Sequence, residues 1–221
     1  MGMFKRIKDA FEKPALAMYE GLLNELCDRL RQIGVNGTAH LSGSMMESMC
    51  GSLVDAVAGY VKIEGRNIDI VQVEIEQAAD DRPYMRSYYH YLVLANVEGL
   101  EKRLEAKVKP DRKGFLGREI VSYRWEGGEL AQRLNDDPEL RSMLPREWSN
   151  QSPDIEVRAH VKPRRIPMIG KPPQEFLDAQ AAFNPCVRIT NTRANLPTRE
   201  AFEIYDRIAQ NIHSAIASRS K

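Results

Sequence analysis

The sequence has few cysteines, no long apolar run and no large excess of charge. Its three cysteines, Cys27, Cys50 and Cys186, are odd in number and show no metal-ligand spacing, which argues against a disulfide framework and a structural zinc site. We therefore expect a reducing compartment, for which the cytoplasm is the simplest choice. No apolar run approaches the roughly 18 residues that span a bilayer, and the N-terminus lacks the apolar core of a signal peptide.

The charges of the chain nearly cancel, with 32 basic and 31 acidic side chains giving a formal net charge of +1. The whole molecule therefore exerts no strong attraction on nucleic acid or on an anionic membrane. Aromatic residues are not interleaved with the basic clusters, so nucleic acid is not an expected partner. Apolar residues make up 43% of the 221 residues, a value typical of a globular chain, and we expect one domain spanning residues 1–221.

Recognisable catalytic motifs are also missing from the sequence. It contains no Gly-x-Ser-x-Gly elbow and no P-loop, and none of its cysteines has a histidine nearby in the chain. The four histidines show no metal-binding spacing. We therefore predict no catalytic residue, no metal and no cofactor, and we favour a protein that is not an enzyme.

A phrase of twelve residues occurs twice, at 106–117 and at 159–170, with six identical positions and no gap. In each copy a strand with alternating apolar residues precedes the proline of the phrase, and a second strand and a helix follow. Because short matches also arise by chance, the repeated order of elements is the stronger indication. It predicts an internal duplication within residues 100–221. The alternative is coincidental chemistry at two strand ends of one sheet.

Apolar residues at three- and four-residue steps predict helices at both ends of the chain and in its middle. The N-terminal helix covers residues 15–33, after a short segment that Pro14 ends. The middle helix begins near residue 129 and is interrupted before Pro138, where Asp137 can cap a second segment. The C-terminal helix follows Thr198, a plausible N-cap. A capping box at residues 44–47 predicts one more short helix.

From Tyr60 onward the apolar period changes to two, which is typical of strands. Residues 84–97 form the best candidate for a central strand, with Tyr89 and Tyr91 on one face and Tyr88 and His90 on the other. Two adjacent apolar residues, at positions 70 and 71, predict a β-bulge there. The sequence therefore predicts an α+β fold, with an antiparallel sheet of about six to eight strands and helices at the N-terminus, middle and C-terminus.

Basic residues follow the first strand of each repeat copy, beside glycines. They are Lys109, Arg112 and Lys113 in the first copy, and Lys162, Arg164 and Arg165 in the second. Ammonium and guanidinium groups near such glycines suit phosphate or carboxylate ligands. Both loops are candidate anion-binding segments if they converge on one surface. Solvated surface chemistry is the alternative interpretation.

A second candidate site lies on the predicted central strand, where Tyr88 and His90 share a face. Their polar groups are able to orient a ligand in a pocket. Cross-strand aromatic packing is the competing interpretation of the tyrosines in this strand.

Three hypotheses about function follow from these patterns. The leading one is a non-catalytic binding module whose basic loops contact an anionic small molecule or an acidic protein surface. The second is a small enzyme for a phosphorylated or carboxylated metabolite, with His90, His160 or a tyrosine as acid or base. The third is a membrane-peripheral module, because residues 3–13 have an apolar face and a basic face.

Overall fold

The structure is a computed structural model that describes residues 2–41, 56–77, 85–113, 119–148, 153–161, 184–191 and 195–218. These residues form eight strands and four helices. The strands are β1 (Gly37–Leu41), β2 (Ala56–Ile63), β3 (Ile70–Gln77), β4 (Met85–Leu94), β5 (Ala106–Lys113), β6 (Glu119–Gly127), β7 (Ile155–His160) and β8 (Cys186–Asn191). The helices are α1 (Gly2–Gln32), α2 (Glu129–Asp136), α3 (Pro138–Glu147) and α4 (Arg199–Ala217).

All eight strands join one antiparallel sheet in the order β1-β2-β3-β4-β8-β7-β5-β6. The first four strands form a meander, and β8 then pairs with β4 in the middle of the sheet. This arrangement confirms the predicted α+β fold, including the number of strands and the antiparallel pairing. It also confirms the central position predicted for the strand that contains His90.

The described helices pack on one face of the sheet, where the apolar core lies. On β4 the core face carries Tyr89, Tyr91 and Val93, and all three are buried. Successive side chains of a strand point to opposite faces, so Tyr88 and His90 lie on the face away from the helices, as the alternation predicts. Burial of this face by α1 and α4 removes apolar surface from water, which is the main favourable contribution to folding.

Helix α1 differs from the prediction because it extends from Gly2 to Gln32 without ending at Pro14. Proline removes one backbone donor and crowds the preceding turn, which is costly but does not always end a helix. The segment predicted to be separate, residues 3–13, is therefore continuous with the helix that packs on β1 and β2. The short helix predicted from residues 44–47 lies outside the described residues.

The predicted bulge at Ile70 and Val71 is wrong, and the irregularity lies in β2 between Val57 and Gly59. Ile70 and Val71 are both buried because each side of β3 has an apolar partner at this point. Ile70 packs with Leu92 and Cys186 on the face away from the helices, whereas Val71 belongs to the main core. Adjacent apolar residues therefore reflect burial on both faces rather than a change of register.

A glycine is required where β2 is irregular. Gly59 has a φ angle of +151°, and an added Cβ would lie 2.3 Å from the carbonyl oxygen of His40. Only glycine adopts such a conformation readily, and the close approach leaves no room for a side chain.

The predicted capping residues of the later helices are confirmed. The Asp137 carboxylate accepts hydrogen bonds from the backbone N–H groups of Glu139 and Leu140 and so caps α3. The Thr198 hydroxyl accepts a hydrogen bond of 3.0 Å from the Ala201 N–H and caps α4. Asp137 also pairs with Arg207 of α4 at 2.6 Å, so one buried carboxylate ends one helix and attaches it to another.

The two repeat copies correspond to the hairpins β5-β6 and β7-β8, which meet where β5 pairs with β7. The order β8-β7-β5-β6 is the one that two hairpins related by a two-fold axis would form. It does not establish a duplication, which stays a prediction. Because β5 and β7 are antiparallel, their C-terminal ends lie at opposite ends of the sheet.

Cys186 is disulfide-bonded, and Cys27 is free. The cysteine pattern argued against a disulfide framework, and the bond at Cys186 shows that an odd number of scattered cysteines does not prevent a bridge. This bridge removes the cysteine argument for a reducing compartment. Within the described parts of the chain, no helix is both long and apolar enough to cross a bilayer.

We expect Asp137→Asn to lower the free energy of unfolding by about 2 kcal/mol at pH 7. Burial alone would raise the pKa of Asp137, but hydrogen bonds from Arg207, Asn211 and the Leu140 N–H outweigh it and lower the pKa from 3.8 to about 2. This stabilisation is present above pH 3.8 and is lost as the pH falls through about 2. Asparagine keeps the N-cap acceptor at Oδ1, so the variant removes the charge together with the hydrogen bonds that Oδ2 accepts from Arg207 and Asn211.

Urea unfolding of the wild type and of Asp137→Asn between pH 7 and pH ~2.5 measures this effect. The difference between the two proteins should shrink toward the acid end of the range. Asp136→Asn, at the exposed neighbouring position, is the control and should change little. A difference that does not depend on pH would show that Asp137 acts through packing and not through its charge.

Candidate functional site

A small cavity lies on the helix side of the sheet, between β4, the end of α3 and the start of α4. Its volume is about 160 Å³, which is below the roughly 300–1,000 Å³ of typical drug-sized sites. We call it the aromatic cavity. It is lined by Tyr89, Tyr91, Glu147, Trp148, Asn191, Asn195, Leu196, Pro197, Thr198, Ala201 and Tyr205.

Aromatic side chains from three elements meet at this cavity. The rings of Tyr91 and Tyr205 are stacked with centroids 4.1 Å apart, and Trp148 is tilted against Tyr205 at 6.5 Å. Burial raises the pKa of Tyr89 to about 12 and that of Tyr91 well above its ordinary value. Both phenols are therefore neutral at physiological pH.

The polar groups of the cavity are positioned by specific hydrogen bonds. The Thr198 hydroxyl donates to Glu147 Oε1 at 2.8 Å while it caps α4. The Asn191 amide donates to the Tyr205 hydroxyl at 2.7 Å, and Arg29 of α1 donates to the Pro197 carbonyl at 2.8 Å. No basic side chain among the described residues forms an ion pair with Glu147. Among the described residues Glu147 thus has no basic counter-charge, and it lies beside four aromatic rings.

The opposite face of the sheet carries a continuous row of polar side chains. One residue from each strand contributes, and consecutive members are paired across the sheet. In sheet order they are His40, Tyr60, Gln72, His90, Thr190, Glu156, Lys107 and Glu126. Gln72 and His90, at its centre, are only 1% and 4% exposed. Such burial is unusual for polar side chains in the middle of a sheet.

His90 is held by an ion pair between β3 and β8. Its Nε2 atom lies 2.9 Å from Glu74 Oε2, and Arg188 donates to the same carboxylate. Burial lowers the pKa of His90, and Arg188 lowers it further, although the hydrogen bond with Glu74 acts in the opposite direction. His90 is therefore neutral at pH 7, with its proton on Nε2 toward Glu74. This tautomer leaves a lone pair on Nδ1.

Three buried polar atoms at the centre of the row have no hydrogen-bond partner within the described residues: His90 Nδ1, Gln72 Oε1 and Gln72 Nε2. A buried polar atom without a partner costs about 1–3 kcal/mol, and native proteins contain few of them. Because the three atoms belong to directly paired residues, they form one cluster.

A shallow groove of about 310 Å³ lies farther along the sheet, where β5 meets β7. Its charged lining residues are Glu105, Lys107, Glu126, Glu156 and Arg158. Acidic and basic groups are mixed, and Arg158 and Glu156 pair with each other at 2.6 Å. The groove therefore has no strong preference for an ion of either sign.

The structure describes only the first of the two predicted basic segments. Lys109 is half-buried on β5, and Arg112 and Lys113 are exposed near its end. The residues of the second loop, Lys162, Arg164 and Arg165, lie outside the described residues. Since β5 and β7 are antiparallel, the strands that precede the two segments end on opposite sides of the sheet, and convergence of the two segments stays a prediction.

The other predicted pair, Tyr88 and His90, does share the face away from the helices. The Tyr88 hydroxyl donates to Glu76 at 2.7 Å. Sequence reasoning missed Gln72 and Arg188, and it treated Glu74 as ordinary acidic surface. The alternation on β3 assigns Gln72 and Glu74 to one face, but nothing in the sequence states that this face is buried.

None of the described His, Cys, Asp and Glu residues forms a group of three that could hold a metal ion. Comparison with protein-family models, curated proteins and solved structures gives no match for this chain.

We expect Thr198→Ala to lower the free energy of unfolding by about 1 kcal/mol, because it removes the N-cap of α4 as well as the hydroxyl that positions Glu147. Thr198→Ser keeps the hydroxyl and should remain close to the wild type. Urea unfolding monitored by far-UV circular dichroism measures both variants. Equal destabilisation of the two would show that the methyl group, and not the hydroxyl, is the important part of Thr198.

Proposed function

We propose that this protein is a non-catalytic binding module that holds a small organic cation, such as a quaternary ammonium group, in the aromatic cavity. The observation that supports the proposal is the carboxylate of Glu147, which lines the cavity beside four aromatic side chains and has no basic partner in the part of the chain that the structure describes. Aromatic rings attract cations through the negative potential of their faces, most strongly when water is excluded. Quaternary ammonium ligands are commonly recognised in this way.

The charge balance of the cavity favours a cation over an anion. Glu147 contributes a full negative charge, and the C-terminal end of α3 adds about half a negative charge. The N-terminal end of α4 contributes about half a positive charge, but the Thr198 hydroxyl caps it and Glu200 lies in its first turn. Arg29 adds a positive charge behind the wall, where it donates to the Pro197 carbonyl. The preference for a cation therefore depends on Glu147, which lines the cavity itself, whereas Arg29 does not.

The size of the cavity limits the ligand to a few heavy atoms or to the head group of a larger molecule. Several of its boundary side chains are already fixed by hydrogen bonds or by ring stacking: Asn191 with Tyr205, Thr198 with Glu147, and Tyr91 with Tyr205. A fixed site loses little conformational entropy when it binds a ligand. This supports a preformed binding site rather than a space that forms only around a ligand.

Choline and its uncharged analogue 3,3-dimethylbutanol test the proposal directly, because they have the same shape and differ in charge. We expect choline to quench the fluorescence of Trp148 in a Trp125→Phe background and to bind at least about tenfold more tightly than the analogue, ~1.4 kcal/mol. Glu147→Gln should weaken choline binding by a similar factor. Binding of the analogue should not change in that variant.

Glu200→Gln is the matched control for this experiment. It removes an exposed negative charge near the start of α4 without altering the lining of the cavity, so its effect on choline binding should be small at ~0.15 M salt, where exposed charges are screened. Equal affinity for choline and 3,3-dimethylbutanol would contradict the proposal, as would the absence of binding by both.

The basic end of the β5-β6 hairpin provides a second proposal, in which an anionic ligand or an acidic protein surface binds Lys109, Arg112 and Lys113. The supporting observation is that Arg112 and Lys113 are both exposed near the end of β5. Exposed pairs contribute little individually, so several simultaneous contacts are required. An extended acidic partner fits this arrangement better than a single small anion.

We expect Arg112→Glu/Lys113→Glu to lose retention on immobilised polyglutamate at low salt without a change in Tm. The control is Lys62→Glu/Lys102→Glu, which reverses two exposed charges elsewhere and changes the net charge by the same amount. Equal loss of retention in both double variants would show that only the net charge of the protein is responsible.

A further inference from the structure

We propose a second binding site on the opposite face of the sheet, formed by Gln72 and His90, for an uncharged ligand with a ureide edge. A ureide edge presents an N–H group, a C=O group and another N–H group in succession. The proposal is independent of the aromatic cavity. It depends on different side chains on the other face of β4.

The strongest observation is the cluster of three buried atoms without partners. Gln72 Oε1, Gln72 Nε2 and His90 Nδ1 make no hydrogen bond in the part of the chain that the structure describes. Gln72 and His90 are paired directly across β3 and β4, which places their side chains next to each other on one face. A ligand or water that satisfied one of these atoms would therefore be close to the others.

The hydrogen-bonding pattern determines the chemistry of the ligand. The Nε2–H group of His90 points to Glu74, at 2.9 Å, so His90 Nδ1 is an acceptor. The Gln72 amide adds one acceptor and one donor, whichever way its two ends are assigned. The site therefore offers two acceptors and one donor group. Its complement has two donors and one acceptor, as in a ureide edge.

The charges around the cluster favour a ligand without net charge. Glu74 is paired with Arg188, so these two groups cancel, and the neutral imidazole adds nothing. A carboxylate or phosphate would bring a buried charge without a counter-charge, and it would also lack the donors that the two acceptors need.

Flat side chains on this face suit a planar ligand. The ring of Tyr88 is inclined by only 16° to that of His90, and His40 and Tyr60 are stacked with centroids 4.8 Å apart. Planar amides and heterocycles pack well against such rings. Uracil combines a planar ring with an N–H, C=O, N–H edge and is the probe that we choose.

Isothermal titration calorimetry with uracil and 1,3-dimethyluracil tests the proposal, because the second compound keeps the ring and loses both donors. We expect saturable binding of uracil and at least about tenfold weaker binding of the dimethyl compound. Gln72→Leu should also weaken uracil binding about tenfold or more. This variant should fold normally, since it replaces an amide without partners by an apolar group of similar size.

His90→Gln provides an independent variant, because the glutamine Nε2 is able to keep a donor toward Glu74, while the fixed acceptor at the imidazole Nδ1 is replaced by an amide oxygen in a different position. It should weaken uracil binding, whereas Lys62→Gln, at an exposed position on the same face, should not. The ¹⁵N resonance of His90 Nδ1 should shift when uracil binds to the wild type.

Three results would overturn the proposal. If uracil shows no measurable binding, the cluster holds water only. Equal affinity for both compounds would show that the donors are not recognised. Unchanged binding by Gln72→Leu, with no shift of the His90 Nδ1 resonance, would place uracil elsewhere on the protein.

Discussion

The structure depends on the two-residue alternation of β4 at the centre of the sheet. β4 pairs with β3 on one edge and with β8 on the other. Its register is therefore fixed, and with it the face of the sheet to which each side chain points. Its alternate residues lie on opposite faces of the sheet. Tyr89 and Tyr91 face the helices, and Tyr88 and His90 face away. A shift of register by one residue would exchange the two sets. Both candidate sites would then be lost together with the core.

The buried carboxylates of the described residues are compensated, which makes half-buried Glu147 informative. Asp137 pairs with Arg207, and Glu74 pairs with Arg188. Asp206 accepts hydrogen bonds from the backbone and side chain of Asn67. Within the described parts of the chain, Glu147 accepts a hydrogen bond from the Thr198 hydroxyl alone, and it lines a space bounded by aromatic rings. That contrast is consistent with the proposed cation as its counter-charge.

Much of the fold follows from local patterns in the sequence. The alternation of residues 84–97 identified the central strand and its two faces, and the capping roles of Asp137 and Thr198 followed from local chemistry. The extent of α1 did not follow from a local pattern, because whether Pro14 ends the helix depends on the residues around it. The adjacent apolar residues Ile70 and Val71 suggested a bulge, since sequence alone does not show that the second face of β3 is also buried.

The sites were much less predictable than the strands, because they depend on which strands become neighbours. Glu74, His90 and Arg188 come from β3, β4 and β8, and the last of these is about a hundred residues away in the chain. Local reasoning found His90 as one member of a pair with Tyr88, but only the pairing of β4 with β8 brings Arg188 to Glu74. In the same way, Glu147 and Tyr91 become neighbours only through the packing of α3 and α4 on the sheet.

The two sites differ in how firmly their side chains are held, and this difference has a physical consequence. Tyr205 of α4 stacks on Tyr91 and is bonded to Asn191, while Asp206, the next residue, is attached to Asn67 and the Ile68 N–H in the turn before β3. Helix α4 is thus fixed at two points, and the aromatic cavity is organised before any ligand binds. On the other face His90 is held by Glu74, whereas Gln72 is held by burial alone, because its amide has no hydrogen-bond partner within the described residues. A ligand that satisfied both ends of that amide would therefore offset its desolvation, at about 1–3 kcal/mol for each unsatisfied group.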